Sequence, residues 1–273
     1  MTSIADRICL ITPLDRNKMV VDEFGKTQAR YYEDEAVRLV KYWRRRGGDL
    51  AGIPIYAYEF QERKIQERTR DELIQMGTTI VPTMSLGNSG FNLEPYVGSL
   101  WEDGDTKEDI AIKVDLDMVL LKPIPDEILE KAVDHVVIGQ YDEKSSKTQR
   151  TVTNGNLPLD TNFIISCKNS GFYKDYFKKC VDPMTLEGEE YKATRAKYGD
   201  YFLDEHVVDL MFSEGKFKFL PVQYYQYGDG YPHISEYTDE EVRKMFFLHR
   251  HYAPGKNMYT PDEIKRLLAA NRG

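Results

Sequence analysis

Strand-length apolar runs and amphipathic helical segments alternate along the first half of the chain, and this alternation restricts the fold more than any other feature. The run RICLIT (7–12) and the run IPIYAYEF from Ile53 flank YYEDEAVRLVKYWRRRGG, in which Ala36, Leu39, Val40 and Trp43 fall at i, i+3, i+4 and i+7. Acids crowd the first turn of that segment, arginines the last, and Gly47 stands where a helix can end. Arg44-Arg45-Arg46 therefore reads as a dipole-facing helix terminus rather than a phosphate patch. A polar helix over about Gln61–Met76, the strand TTIVPTM, a helix near Asn92–Glu102 and the strand DIAIKVDLDMVLL continue the pattern. Such a β-α-β-α-β-α-β series builds a largely parallel sheet with helices on its faces. Ligands of such sheets bind outside the carboxyl ends of the strands, which points to Thr12, the loop after Val81, and Asp115 and Asp117.

The second half is more mixed. KPIPDEIL opens a helix after prolines, HVVIGQYD and TNFIIS read as strands, and KNSGFYKDYFKKC reads as a helix with Phe172, Tyr176, Phe177 and Cys180 on one face. YYQYGDGYPHISEY is rich in tyrosine and glycine without a regular period, and a helix PDEIKRLLAANR follows near the end. The expected architecture is α/β: one large domain on a mixed sheet, with a nucleotide-binding half over 1–121 and an acceptor-binding half over 122–273.

The 273 residues have 41% hydrophobic and 30% charged character, enough apolar mass for a sizeable core. A net charge of −8 is the wrong sign for a protein held on phosphates by basic contacts, so no nucleic-acid partner is expected. Three cysteines without a CxxC pair read as reduced thiols, and no apolar run reaches the roughly 18–20 residues that a membrane span needs. With no leader-like segment at the start, the expected location is the cytoplasm.

Asp115-Leu116-Asp117 closes an apolar strand. On an extended strand, side chains at i and i+2 share a face, so both carboxylates can grip one hard divalent cation. The three-residue pattern alone favours the plainer alternative, a solvated strand end with two surface acids; the apolar residues before it, and Met118-Val119-Leu120-Leu121 and Lys122-Pro123 after it, argue for the site. No GxGxxG or GxxxxGK[ST] pattern is present, so neither a dinucleotide nor a P-loop phosphate site is supported.

The longer stretch IKVDLDMVLLKPIPDEI resembles nucleotide-sugar-dependent glycosyltransferases of the GT-A fold, in which an apolar strand delivers a DxD motif and runs on into a Lys-Pro turn. The similarity is greatest to the glycogenin and bacterial galactosyltransferase-like group, which also has a late His-aromatic…Gly…Lys signature. His251-Tyr252-Ala253-Pro254-Gly255-Lys256 is similar to that signature, with Gly255 at four and Lys256 at five after the histidine rather than three and six. The resemblance implies a Rossmann-like mixed sheet and transfer of a hexose or pentose from a nucleotide sugar, with UDP as the nucleotide by analogy. The acceptor would be a hydroxyl, with a glycan the expected kind. It implies Mn²⁺ or Mg²⁺ held by Asp115, Asp117 and His251, with His249 as rival to His251, and Lys256 beside the leaving diphosphate. Thr12 and Pro13 would lie under the base and ribose.

LDTNFIIS is similar to the family strand that touches the donor sugar, which would put Asp160 and Asn162 there, Asp160 standing for an asparagine. LDEHVVDLMF is similar to a helix start near the reacting centre, which would make Asp204 and Glu205 the catalytic pair, Glu205 standing for a glutamine. The family retains anomeric configuration, whereas Glu205 departs toward an inverting base; both outcomes stay open. Tyr227, Asp229 and His233 are candidates for the acceptor, since an aromatic face stacks on a sugar while polar groups bind its rim. A catalytically silent nucleotide-sugar-binding module and a sugar nucleotidyltransferase are the competing readings.

Overall fold

The computed structural model describes residues 3–16, 18–21, 27–84, 93–141, 159–198, 203–223, 237–249, 266 and 269. In chain order the elements are β1 (Ile8–Leu14), β2 (Lys18–Val21), β3 (Thr27–Arg30), α1 (Tyr32–Arg46), β4 (Ile55–Phe60), α2 (Glu67–Gln75), β5 (Thr78–Thr83), α3 (Leu93–Asp103), β6 (Ile110–Val114) and β7 (Met118–Leu120). There follow α4 (Asp126–Lys131), β8 (Val136–Gln140), β9 (Leu159–Cys167), α5 (Phe172–Val181), α6 (Pro183–Glu187), α7 (Glu189–Tyr198), α8 (Leu203–Glu214), β10 (Phe219–Gln223), α9 (Asp239–Lys244) and β11 (Phe247–His249).

Seven strands form one sheet in the order β10-β8-β9-β6-β1-β4-β5. All neighbours run parallel except β9, which is antiparallel to both β6 and β8. The chain starts in the middle at β1, moves outward through β4 and β5, then returns to the other side of β1 as β6. That reversal opens a crevice at the carboxyl ends of β1 and β6, where ligands of such sheets bind.

Alternation along β1 feeds two cores. Ile8, Leu10 and Leu14 join the core under α1 and α2, while Cys9 and Ile11 join the one under α3, α5 and α8. Helices therefore cover both faces, as the α/β reading requires. On α1, the expected face of Ala36, Leu39, Val40 and Trp43 is the buried one. The arginines at its end do more than meet a dipole. The Arg44 guanidinium donates to the carbonyls of Ala51 (2.7 Å), Ile53 (2.8 Å), Met76 (3.0 Å) and Gly77 (3.1 Å), which staples two loops to the helix.

On α5 the buried face is Phe172, Tyr173, Tyr176 and Cys180; Phe177 is only partly buried, against Tyr96 at 5.1 Å between ring centroids. Tyr173 lies over Gly98 of α3, where a Cβ would fall inside the tyrosine ring, so glycine permits the close approach of the two helices. Two small antiparallel pairs are separate from the main sheet: β2 with β3, which periodicity did not announce, and β7 with β11. Phe247 of β11 packs on Trp43 and Phe163, at 6.4 and 5.1 Å between centroids. No described helix is long and apolar enough to cross a membrane.

Candidate functional site

Ionisable side chains from several elements gather at the carboxyl end of β6. β6 ends at Val114, and Asp115–Met118 form a tight turn closed by the Met118 N–H donating to the Asp115 carbonyl at 3.0 Å. The expectation of one unbroken strand through DIAIKVDLDMVLL is thereby corrected: the chain turns at Asp115 and leaves the main sheet as β7. Asp115 and Asp117 therefore share a turn rather than one face of a strand, and both side chains remain partly exposed.

Asp115 has an internal cation. Lys113 lies two residues earlier on the same face of β6 and is only 1% exposed. Its ammonium donates to Asp115 Oδ1 at 2.5 Å and to the Thr161 carbonyl at 2.6 Å, and it pairs with Glu94 from the first turn of α3. Burial opposes the charge on Lys113, but Asp115 and Glu94 outweigh it and hold the ammonium protonated beyond the ordinary lysine range. Glu94 moves the other way for a carboxyl. Burial and then the charge of Asp115 raise it well above its usual value, with Lys113 as the opposing influence.

A bulge shapes the neighbouring strand. On β8 one step separates Ile138 from Gly139, yet their partners on β9 are Ile164 and Asp160, so residues 161–163 are extra. Bulges of this kind re-aim side chains beside functional sites. Here the bulge turns the Thr161 carbonyl to Lys113 and the Thr161 hydroxyl to Asp204 Oδ2, at 2.7 Å, while the Asn162 carbonyl accepts from the Asp115 N–H at 3.0 Å. Asp160 is fully buried and its Oδ1 accepts from the Asn162 N–H at 2.9 Å; Asn162 is 8% exposed.

The first turn of α8 completes the cluster. Acids are favoured there by the helix dipole, and Asp204 and Glu205 occupy it. Glu205 is buried and its Oε1 accepts from the Tyr141 hydroxyl at 2.8 Å. One turn on, the Asp209 carboxylate accepts from the Leu159 N–H at 3.1 Å and so anchors the start of β9 to α8. The Tyr176 hydroxyl is buried without a hydrogen-bond partner among the described residues. Burial, then the charges of Asp204, Cys180, Glu94 and Asp115 in that order, raise its pKa well above the usual phenol range.

Thr12 and Pro13 lie inside β1 and are buried, because the strand continues to Leu14. The ladder with β6 ends at Ile11, and the Leu10 N–H points to β4, so by alternation the missing N–H of Pro13 faces the crevice rather than a strand. Past the end of β1, Asp15 is buried and its carboxylate pairs with Arg63 at 3.0 Å, and Arg16 is exposed.

β11 runs antiparallel to β7 with His249 opposite Met118, which brings the backbone of His249 next to the turn holding Asp117. Its side chain, together with His251, Lys256, Tyr227, Asp229 and His233, lies outside the described residues. Asp115, Asp160, Asn162 and Asp204 thus come together at one end of the sheet, with Asp117 in the same turn as Asp115 and Glu205 next along α8 from Asp204; Lys113, Glu94, Tyr141, Thr161 and Asp209, which sequence reading passed over, hold them there. Of these, Lys113 left a signal: a lone charge in an apolar strand, in phase with Asp115.

Hard oxygen donors such as Asp115 and Asp117 suit Mg²⁺ or Mn²⁺ in kind, although Lys113 already occupies one oxygen of Asp115. Among the described residues no three His, Cys, Asp or Glu side chains converge to hold a metal. Compared with known proteins, the chain matches no family model and no curated protein.

Proposed function

We propose that this protein is a divalent-metal-dependent glycosyltransferase that moves a hexose or pentose from a nucleotide sugar to a hydroxyl acceptor. The observation that carries this reading is that Lys113, Thr161 and Asn162 tie Asp115, Asp160 and Asp204 together at the carboxyl end of β6, beside the sheet's reversal point and on the elements that the sequence resemblance singles out. In this reading Asp115 and Asp117 hold the metal with a histidine from the late segment, and the metal offsets the charge of the departing diphosphate. Lys113 offsets part of the negative charge that would otherwise separate Asp115 from Glu94. The Thr161 hydroxyl and Tyr141 hydroxyl fix the carboxylates of Asp204 and Glu205 at the face where an acceptor hydroxyl would lose its proton.

The test is a mass-spectrometric screen of nucleotide sugars with Mn²⁺, followed by the same screen on Asp117→Ala. Consumption of one donor, lost in the variant while its thermal unfolding is preserved, is the expected result; full activity in the variant would refute the metal assignment. One observation favours a second reading, a nucleotide-sugar-binding module without turnover: Asp115 already has a cation in Lys113. Stabilisation by UDP with no donor consumed would select that module.

A further inference from the structure

We propose that a groove on the α3 face of the sheet is a binding site for a neutral sugar unit. α3 packs on β1 and β6, and beside it the outer strands β4 and β5 contribute one wall of the groove. Tyr56 and Tyr58, two apart on β4, and Val81 of β5 form that wall; Leu100 of α3 and the loop from Gly104 to Glu108 form the other. The space is about 700 Å³, within the roughly 300–1,000 Å³ typical of small-ligand sites.

The second wall is fixed in place. The Lys168 ammonium donates to the Gly104 carbonyl and to Thr106 Oγ1, the latter at 3.2 Å, and its charge lies 5.5 Å from the centre of the Trp101 ring. The Arg7 fork grips Asp109 with bonds of 3.0 and 2.7 Å at the loop's end. A wall held this way loses little freedom when a ligand arrives. Glu108 is only 7% exposed; one oxygen accepts from the Tyr56 hydroxyl at 3.0 Å, and no described residue donates to the other.

The lining selects the ligand class. Aromatic and aliphatic surface lies beside acceptors on Glu108 and Asp105, a donor on Lys107, and a hydroxyl on Thr83 that can do either; the Thr106 hydroxyl already takes a bond from Lys168 and gives one to the Glu108 carbonyl. Interleaved donors and acceptors around tyrosines suit a neutral, hydroxyl-rich ring. The two carboxylates repel a phosphate, and Lys107 disfavours a simple cation. The inference deepens the transferase reading, on which it depends for identifying the sugar as part of an acceptor glycan. Glu94 in the carboxylate cluster and Leu100 in the groove stand on one helix, about 9 Å apart along its axis.

An immobilised array of neutral gluco-, galacto-, manno-, xylo- and N-acetylhexosamine oligosaccharides, followed by calorimetric titration of any hit, tests the site on the full chain. Glu108→Gln should weaken sugar binding about tenfold, consistent with loss of a charged hydrogen-bond acceptor. Leu100→Trp, which fills the groove, should abolish it, with both variants checked for folding by thermal unfolding. No binding to any member, binding untouched by both variants, or displacement of the sugar by spermidine would overturn the proposal. Groove-dependent sugar binding without consumption of any nucleotide sugar would sustain the groove and remove the transferase reading. Transfer to a glycan whose KM is the same in Glu108→Gln and in the unmodified chain would sustain the transferase and remove the groove.

Discussion

Replacing Lys113 with methionine keeps most of the side-chain volume and removes one charge from the inside of the sheet. It leaves Asp115 and Glu94 facing each other without the ammonium that sits 2.5 Å from Asp115 Oδ1. Breaking a buried ion pair by deleting one partner costs about 3–5 kcal/mol. The carboxylates are not sealed off, each side chain being 22% exposed, so the lower end applies and about 3 kcal/mol is expected at pH 8. Acid should reduce the deficit. Glu94 already sits well above the ordinary carboxyl range, and losing Lys113 raises it further. A carboxyl raised in the folded state keeps its contribution below its unfolded pKa and loses it as pH rises through the folded one. The variant should therefore approach the unmodified protein at pH 5 and fall away toward pH 8, measured by urea unfolding at both. Lys113→Met combined with Asp115→Asn should recover part of the loss, giving a coupling energy of order 1 kcal/mol or more. A single variant within about 0.5 kcal/mol of the unmodified protein at pH 8 would refute the role of Lys113 as counter-ion, since that is the range of ordinary surface substitutions.

Glu102 carries a second pH dependence. It accepts from the N–H groups of Tyr173 and Lys174 at 3.0 Å each, yet burial raises it from 4.5 to about 7. Its stabilising contribution is intact below about pH 4.5 and is lost as pH rises through 7, a change of about 3 kcal/mol. Urea unfolding should thus show Glu102→Gln gaining on the unmodified protein from pH 5 to 8, and a constant difference would contradict the burial argument. Gly98→Ala should lower stability by about 1–3 kcal/mol, because its methyl would enter the Tyr173 ring; an unchanged melting temperature would show that α3 and α5 can separate freely.

The parts of the fold legible in the sequence are those where one local rule dominates. α1 combines a 3.6-residue apolar period with acids at its start and arginines at its end, and β1, β4 and β6 are apolar runs that burial on both sides of a sheet demands. The candidate site depends instead on departures from regularity. Strand alternation predicted that Asp115 and Asp117 face one way, but a turn intervenes, and a turn without glycine or proline leaves little trace in composition. The bulge across Thr161–Phe163 is a matter of register between strands far apart in sequence, as are the bond from Tyr141 to Glu205 and the union of Lys113 with Glu94. The hairpin of β2 and β3 escaped notice because four-residue strands give too short a period.

The pairing of β7 with β11 has a consequence for biosynthesis. Phe247–His249 is more than a hundred residues downstream of Met118–Leu120, so most of the chain must leave the ribosome before this short ladder can close. All seven strands of the main sheet are translated earlier and none of them pairs with β11, although Phe247 fills the core against Trp43 and Phe163. A nascent or prematurely terminated chain ending before Phe247 would then lack both a core side chain against Phe163 and the outer brace of the Asp115–Asp117 turn.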